Sequence, residues 1–279
     1  MRLELQLMDT FLREYSGVPV AYFPNPGNAG DSLIASGTYQ AFRRANVPFT
    51  CINETADVTG KVVFLGGGGN FVPLYREIRS ILERIHETAD KIIILPHTIR
   101  GNEDLLSRLS KNAVIFCREP ESYIHVMRHS EATAYLTHDM AFHLNVSEFL
   151  RQCEAYDDLP HLYKVKTTGT FLQDAERRDM SYFMRQDGEA KSKNAEIDTI
   201  DISTLFEFGV WPNNAEKSAL CLMQAIRQSR KVVTDRLHVG IACSLLDHEC
   251  DLFDNNYGKN STIFYHSIRK KSQQVKLCK

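Results

Sequence analysis

No apolar run in the 279-residue chain approaches the ~18 residues that a bilayer-spanning helix needs. Runs such as those at residues 62–65 and 92–95 are short, the length of strands. Charge of one sign is not in excess either. Lys plus Arg number 33 against 35 Asp plus Glu, for a net charge of −2, which argues against a general nucleic-acid binder. The seven cysteines, at 51, 117, 153, 221, 243, 250 and 278, contain no C-x-x-C pair and are odd in number. They are expected to be free thiols in a reducing compartment. The first residues, MRLELQLMDTF, alternate polar and apolar types and lack the apolar centre of a signal peptide, so the expected location is the cytoplasm. Also missing are G-x-G-x-x-G, a P-loop lysine, G-x-S-x-G, H-E-x-x-H and D-x-D, each tied to a specific chemistry.

What remains is a soluble globular composition, 43% hydrophobic and 24% charged, at a length that suits two domains of ~150 residues. Short β-branched or aromatic runs at 18–23, 62–65, 92–95, 114–117 and 133–136 alternate with helix-like stretches at 32–46, 74–88 and 105–110. This texture predicts an α/β fold with a largely parallel sheet. Ligands of such sheets bind beyond the carboxyl ends of the strands. Residues 151–201 are rich in both signs of charge and read as a linker, a surface excursion or a lid. A second α/β segment follows, with helices at 214–229 and 236–246, a strand around 232–233 and a last short strand at 251–254. The expected domains are residues 1–150 and 151–279.

The loops after the strands carry the candidate chemistry. In NPGNAGD (25–31), Asn28 and Asp31 either cap the following helix or bind a hydroxylated ligand, and the helix entry favours an anion. In GGGGNF (66–71), Gly67, Gly68 and Gly69, with Asn70, form either an idle flexible loop or one that lets backbone approach a ligand. His97 and Arg118 close the next two strands. Arg118 suits a carboxylate or phosphate, or else a salt bridge to Glu119 or Glu121. Asp139 is a helix cap or a hydroxyl acceptor. Arg236 and His238, two apart at a strand-to-helix junction, suit an anionic substrate that needs a proton. The loop 254–259 adds polar groups and Lys259. His125 and His129 have the i, i+4 spacing of a helical metal pair but no third ligand at a recognisable spacing. They read as a solvated helix face, and no metal is expected.

In order, NPGNAGDSLI (25–34), LGGGGNF (65–71), LPHTI (95–99), CREPESY (117–123), HDMAF (138–142), TDRLHVGIACSLL (234–246) and DNNYGK (254–259) resemble the polysaccharide pyruvyl transferase family. The resemblance implies two Rossmann-like α/β domains in a GT-B-like arrangement with the active site in the interdomain cleft. It implies transfer of the enolpyruvyl group of phosphoenolpyruvate onto a sugar of an exopolysaccharide, capsule or cell-wall glycan precursor, giving a pyruvate ketal without a cofactor. Arg118, Arg236 and His238 fall on the family's donor-site and catalytic positions. Asn28, Asp31, His97, Asp139 and Lys259 then become acceptor-binding candidates, with Asp31 or Asp139 as the base. Val239, His138 and Gln173 stand where the family often has glycine, proline and arginine. A nucleotide-sugar glycosyltransferase is the alternative reading, and a non-catalytic binding protein a third.

After Asp254 every charged residue is basic: Lys259, Arg269, Lys270, Lys271, Lys276 and Lys279. This end reads as a solvated tail, or as one that meets an anionic membrane carrying a lipid-linked acceptor.

Overall fold

Strands buried on both faces should be apolar without interruption, and Ile92, Ile93, Ile94 and Leu95 are all fully buried at the centre of the larger sheet. The computed structural model describes residues 1–152, 155–173, 178–186, 198–254 and 258–278. Cys153 and Asn255, Asn256 and Tyr257 of the DNNYGK segment lie outside the described residues. The chain is α/β and divides into two units: Met1–Pro26 with Ile34–Leu144, and Gly27–Leu33 with Asn145–Lys279.

The first unit runs α1 (Arg2–Arg13), β1 (Val20–Phe23), α2 (Ala29–Ala45), β2 (Phe49–Cys51), β3 (Val62–Leu65), β4 (Gly68–Phe71), α3 (Glu77–Ile85), β5 (Lys91–Ile99), α4 (Glu103–Leu106), β6 (Ala113–Cys117), α5 (Pro120–His129) and β7 (Thr133–Leu136). The first turn of α2 groups with the second unit. All strand pairs are parallel, in the order β2-β1-β3-β5-β6-β7, and β4 pairs with β5 beyond β3. Alternate strand residues face opposite sides. One face packs Ala21, Phe23, Val63, Leu65, Ile92 and Ile94 against Ile78, Ile81, Leu82 and Ile85 of α3. On the other, Tyr22 and Phe64 meet Tyr39 and Phe42 of α2 edge-on. The chain leaves β1 for β2 on one side and returns to β3 on the other, so the crevice above β1 and β3 is a topological switch point.

The second unit runs α6 (Val146–Gln152), α7 (Leu159–Thr167), β8 (Arg178–Phe183), α8 (Ile202–Leu205), α9 (Pro212–Arg227), β9 (Ser229–Thr234), α10 (Leu237–Leu245), β10 (Glu249–Phe253), α11 (Lys259–Ile263), α12 (Arg269–Lys271) and β11 (Val275–Cys278). Its sheet is parallel, in the order β11-β10-β9-β8.

The N-terminus, for which the sequence reading names no element, is helix α1, with Met8, Phe11 and Leu12 buried at helical spacing. Three expectations change. Within the glycine run, Gly68–Phe71 is strand rather than loop. The charged stretch 151–201 contributes α7 and the edge strand β8. The strand at 251–254 is not the last, because the basic end supplies β11, whose Val275 is buried, so it is part of the sheet and no tail. Among the described residues no helix is long and apolar enough to cross a membrane.

Candidate functional site

At the switch point of the first unit, the loop after β1 meets the loop after β3. Asn25, buried just beyond β1, donates from Nδ2 to the Gly67 carbonyl (3.1 Å) and to Asn70 Oδ1 (2.8 Å). Asn70 returns a bond from Nδ2 to Asn25 Oδ1 at 2.9 Å. The fully buried His97 places Nε2 3.0 Å from Asn70 Oδ1. The glycines serve this approach. A Cβ on Gly66 would lie 2.5 Å from the Asn25 nitrogen, and one on Gly67 2.6 Å from the Pro96 carbonyl oxygen. A Cβ on Gly68 would meet Asn25 Nδ2 at 2.3 Å. Glycine is required here for close packing of two loops, whereas Gly69 and Asn70 remain half-buried at the rim.

Beside this crevice Arg118, at the end of β6, is completely buried. Its Nε donates to Thr98 Oγ1 (2.9 Å) and its Nη1 to Asp139 Oδ2 (2.6 Å). Asp139, equally buried, also accepts from the Ala141 backbone through Oδ1 at 2.9 Å, capping the short helix at Met140–His143. Arg118 is thus ion-paired with Asp139, 21 residues away in sequence. Glu119 instead caps α5 and binds Arg100 Nη1 at 2.9 Å. Burial pushes the Glu119 carboxyl up, but the bonds from Arg100, Glu121 and Ser122 outweigh it and hold the group below its ordinary value.

In the second unit the first turn of α2 forms a reciprocal cap. Asn28 Oδ1 accepts from the Gly30 backbone at 2.8 Å, and Asp31 Oδ2 reaches back to accept from the Asn28 backbone at 2.9 Å. Ser32 Oγ ties this turn to the Gly209 carbonyl at 3.1 Å. Gly30 lies against His238: a Cβ there would fall 2.6 Å from His238 Nδ1 and 2.8 Å from its Cβ. His238 is half-buried in the first turn of α10. Arg236, just before that helix, is buried and gripped by Asp201, with Nε on Oδ1 at 3.0 Å and Nη2 on Oδ2. Asp201 also caps α8 through the Ser203 and Thr204 backbone. Burial raises the Asp235 carboxyl, although it accepts from the Arg185 backbone at 2.7 Å. Lys259 opens α11. Its neighbour Asn260 is fully buried and binds the carbonyls of Asp235 (2.7 Å) and Phe253 (2.8 Å), joining the loops after β9 and β10.

The fold thus brings Gly67, Gly68, Asn70 and His97 together, pairs Arg118 with Asp139, and sets the turn containing Asn28 and Asp31 beside His238. Three groups that the motifs did not single out complete these arrangements: Asn25, Thr98 and Asp201. Among the described residues, the only three His, Cys, Asp or Glu side chains within common reach of a metal ion are Glu103, His125 and His129, none of them in these clusters.

Residues 28–257 match the family model described as polysaccharide pyruvyl transferase. The Bacillus subtilis (strain 168) protein named "Putative pyruvyl transferase EpsO" is 27% identical over 300 residues, covering 93% of this chain and 87% of that protein. A crystal structure of a functionally uncharacterized Klebsiella pneumoniae protein superposes with a TM-score of 0.78 at 26% identity, over 99% of this chain and 98% of the other.

Proposed function

Because the chain belongs to the polysaccharide pyruvyl transferase family, we propose that it transfers the pyruvyl group of phosphoenolpyruvate onto two hydroxyls of one sugar in a glycan precursor. The observation that carries this reading is the β9–α10 junction, where a buried arginine held by Asp201 precedes a half-buried histidine packed on Gly30. A fixed cation and a proton carrier at a helix N-terminus suit a small donor bearing phosphate and carboxylate.

In the proposed reaction His238 gives its proton to the methylene carbon of phosphoenolpyruvate, leaving an oxocarbenium-like centre at C2. A first sugar hydroxyl adds there, and its proton passes to a carboxylate. Asp31 is the better base, being half-exposed, whereas Asp139 is buried with one oxygen on Arg118 and the other on the Ala141 backbone. The C2–O bond to phosphate then breaks, the second hydroxyl closes the ketal, and its proton leaves with phosphate or restores His238. Arg236 neutralises the departing phosphate. Arg118, a donor-site candidate by its motif, also acts as a positioning group that fixes Asp139 and Thr98. Gly67, Gly68, Gly69 and Asn70 remain donor-binding candidates, and Asn28, His97 and Lys259 hydroxyl-binding ones.

The exposed Arg269, Lys270, Lys271 and Lys276 extend the proposal to an acceptor carried on an anionic membrane, at about 1 kcal/mol per basic residue. Deleting residues 266–279 would remove β11, so Lys270→Glu with Lys271→Glu is the cleaner test. The double variant should sediment less with anionic vesicles, and unchanged sedimentation would reject membrane contact. The donor is tested by thermal unfolding. Phosphoenolpyruvate should raise the melting temperature and UDP- or GDP-sugars should not; the opposite pattern would favour a nucleotide-sugar glycosyltransferase.

A further inference from the structure

The sequence offers His125 and His129 as a helical pair without a third ligand, and the fold supplies one. The two imidazoles stand one turn apart on α5 with ring centroids 4.8 Å apart. Glu103, the first residue of α4, brings Oε1 to 3.8 Å from His125 Nε2. One ligand atom from each of the three side chains lies within 4.8 Å of the others. Tetrahedral zinc with bonds of about 2.0–2.1 Å separates its ligand atoms by roughly 3.3 Å. Closing the remaining ångström or so falls to Glu103 and His129, both exposed and free of core packing.

Two further features suit a cation. His125 Nε2, the nitrogen that faces Glu103, also lies 2.9 Å from the Gly101 carbonyl oxygen, so a cation held there would find a backbone oxygen beside the three side chains. His129 is the last residue of α5, where the helix dipole favours positive charge. Two imidazoles and one carboxylate form the donor set of zinc sites with three protein ligands and an open fourth position.

We propose that Glu103, His125 and His129 bind a zinc-class divalent cation, with water in the remaining position. The ion would tie α5 to the start of α4, just after the turn at Gly101 and Asn102, whose φ angles are both positive, 59° and 58°. That turn directly follows β5, the strand carrying His97 and Thr98. The site stands independently of the donor and acceptor assigned above.

The test uses the full chain stripped of metal by a chelator, titrated with Zn2+ by calorimetry and with Co2+ by visible absorption. One equivalent of Zn2+ should bind, and Co2+ should give the intense bands of a four- or five-coordinate ion. His125→Ala and His129→Ala should each weaken Zn2+ by tenfold or more, and Glu103→Gln should weaken it to a lesser degree. His129→Ala and Glu103→Gln change exposed side chains, so their metal-free melting temperatures should match the parent and separate lost binding from lost folding. Absence of binding below roughly 100 µM, about −5.5 kcal/mol, would overturn the proposal. So would one equivalent bound with equal affinity by the parent and all three variants, which would place the ion elsewhere.

Discussion

Asp201 holds Arg236 by two nitrogen–oxygen pairs across 35 residues of sequence, and the same carboxylate caps α8. An arginine clamped in this way presents one fixed face to a ligand, so the pair is expected to act on donor affinity. Asp201→Asn keeps a capping side chain but removes the charge. The KM for phosphoenolpyruvate should rise by about tenfold or more, with a smaller change in kcat. Steady-state kinetics check this, and an unchanged donor KM would separate Arg236 from the donor phosphate.

Gly30 is a glycine because the His238 ring occupies the space of its Cβ. In most helices Gly→Ala gains up to about 1 kcal/mol. Here Gly30→Ala should lose about 1–3 kcal/mol through overpacking. A displaced ring should also lower kcat by roughly 10²-fold. Denaturant unfolding and turnover measured on the same preparation check both, and a stabilised, fully active variant would contradict the geometry.

Arg118 and Asp139 form an ion pair with neither side chain exposed. Removing one partner leaves a buried charge, so Asp139→Asn should cost about 3–5 kcal/mol. Arg118→Met combined with Asp139→Leu should recover a large part of that loss. A double-mutant cycle with no coupling energy would show that the pair does not support the loop.

Asp9 on α1 accepts from His143, and this bond, opposed by burial and helped by His143 and Arg44 charge, holds its carboxyl below the usual range. A depressed carboxylate contributes stability above its unfolded value of about 3.8, lost as the pH falls through the lower folded value. Asp9 is 36% exposed, so solvent screening limits its worth to a few tenths up to about 1 kcal/mol. Asp9→Asn should therefore be slightly less stable than the parent at pH 7, with the difference closing below pH ~3.8. Unfolding curves at the two pH values check the sign.

The strands at β3, β5 and β6 were legible because parallel strands buried on both faces are continuously apolar. Other elements carry no such signal in the sequence. β4 contains two glycines and packs by backbone approach, while β8 and β11 are edge strands with charged residues on exposed positions. The loops carrying Asn28, Gly67, Arg118, Arg236 and His238 were visible from their place after strands. Their partners were not. Asn25 bonds Asn70 across 45 residues, Arg118 takes Asp139 rather than its sequence neighbour, and Asp201 lies in a charged stretch with no motif. Spacing reveals local geometry, and these bonds are made by the topology of the sheets.

The central claim is a pyruvyl transfer driven by proton donation from His238. The direct measurement is mass spectrometry of a panel of lipid-linked or nitrophenyl sugars incubated with phosphoenolpyruvate and either the parent or His238→Ala. The expected product is a sugar heavier by one pyruvate less one water, formed roughly 10²–10⁴-fold more slowly by the variant. A product of any other mass, or near-parental turnover by His238→Ala, would contradict it.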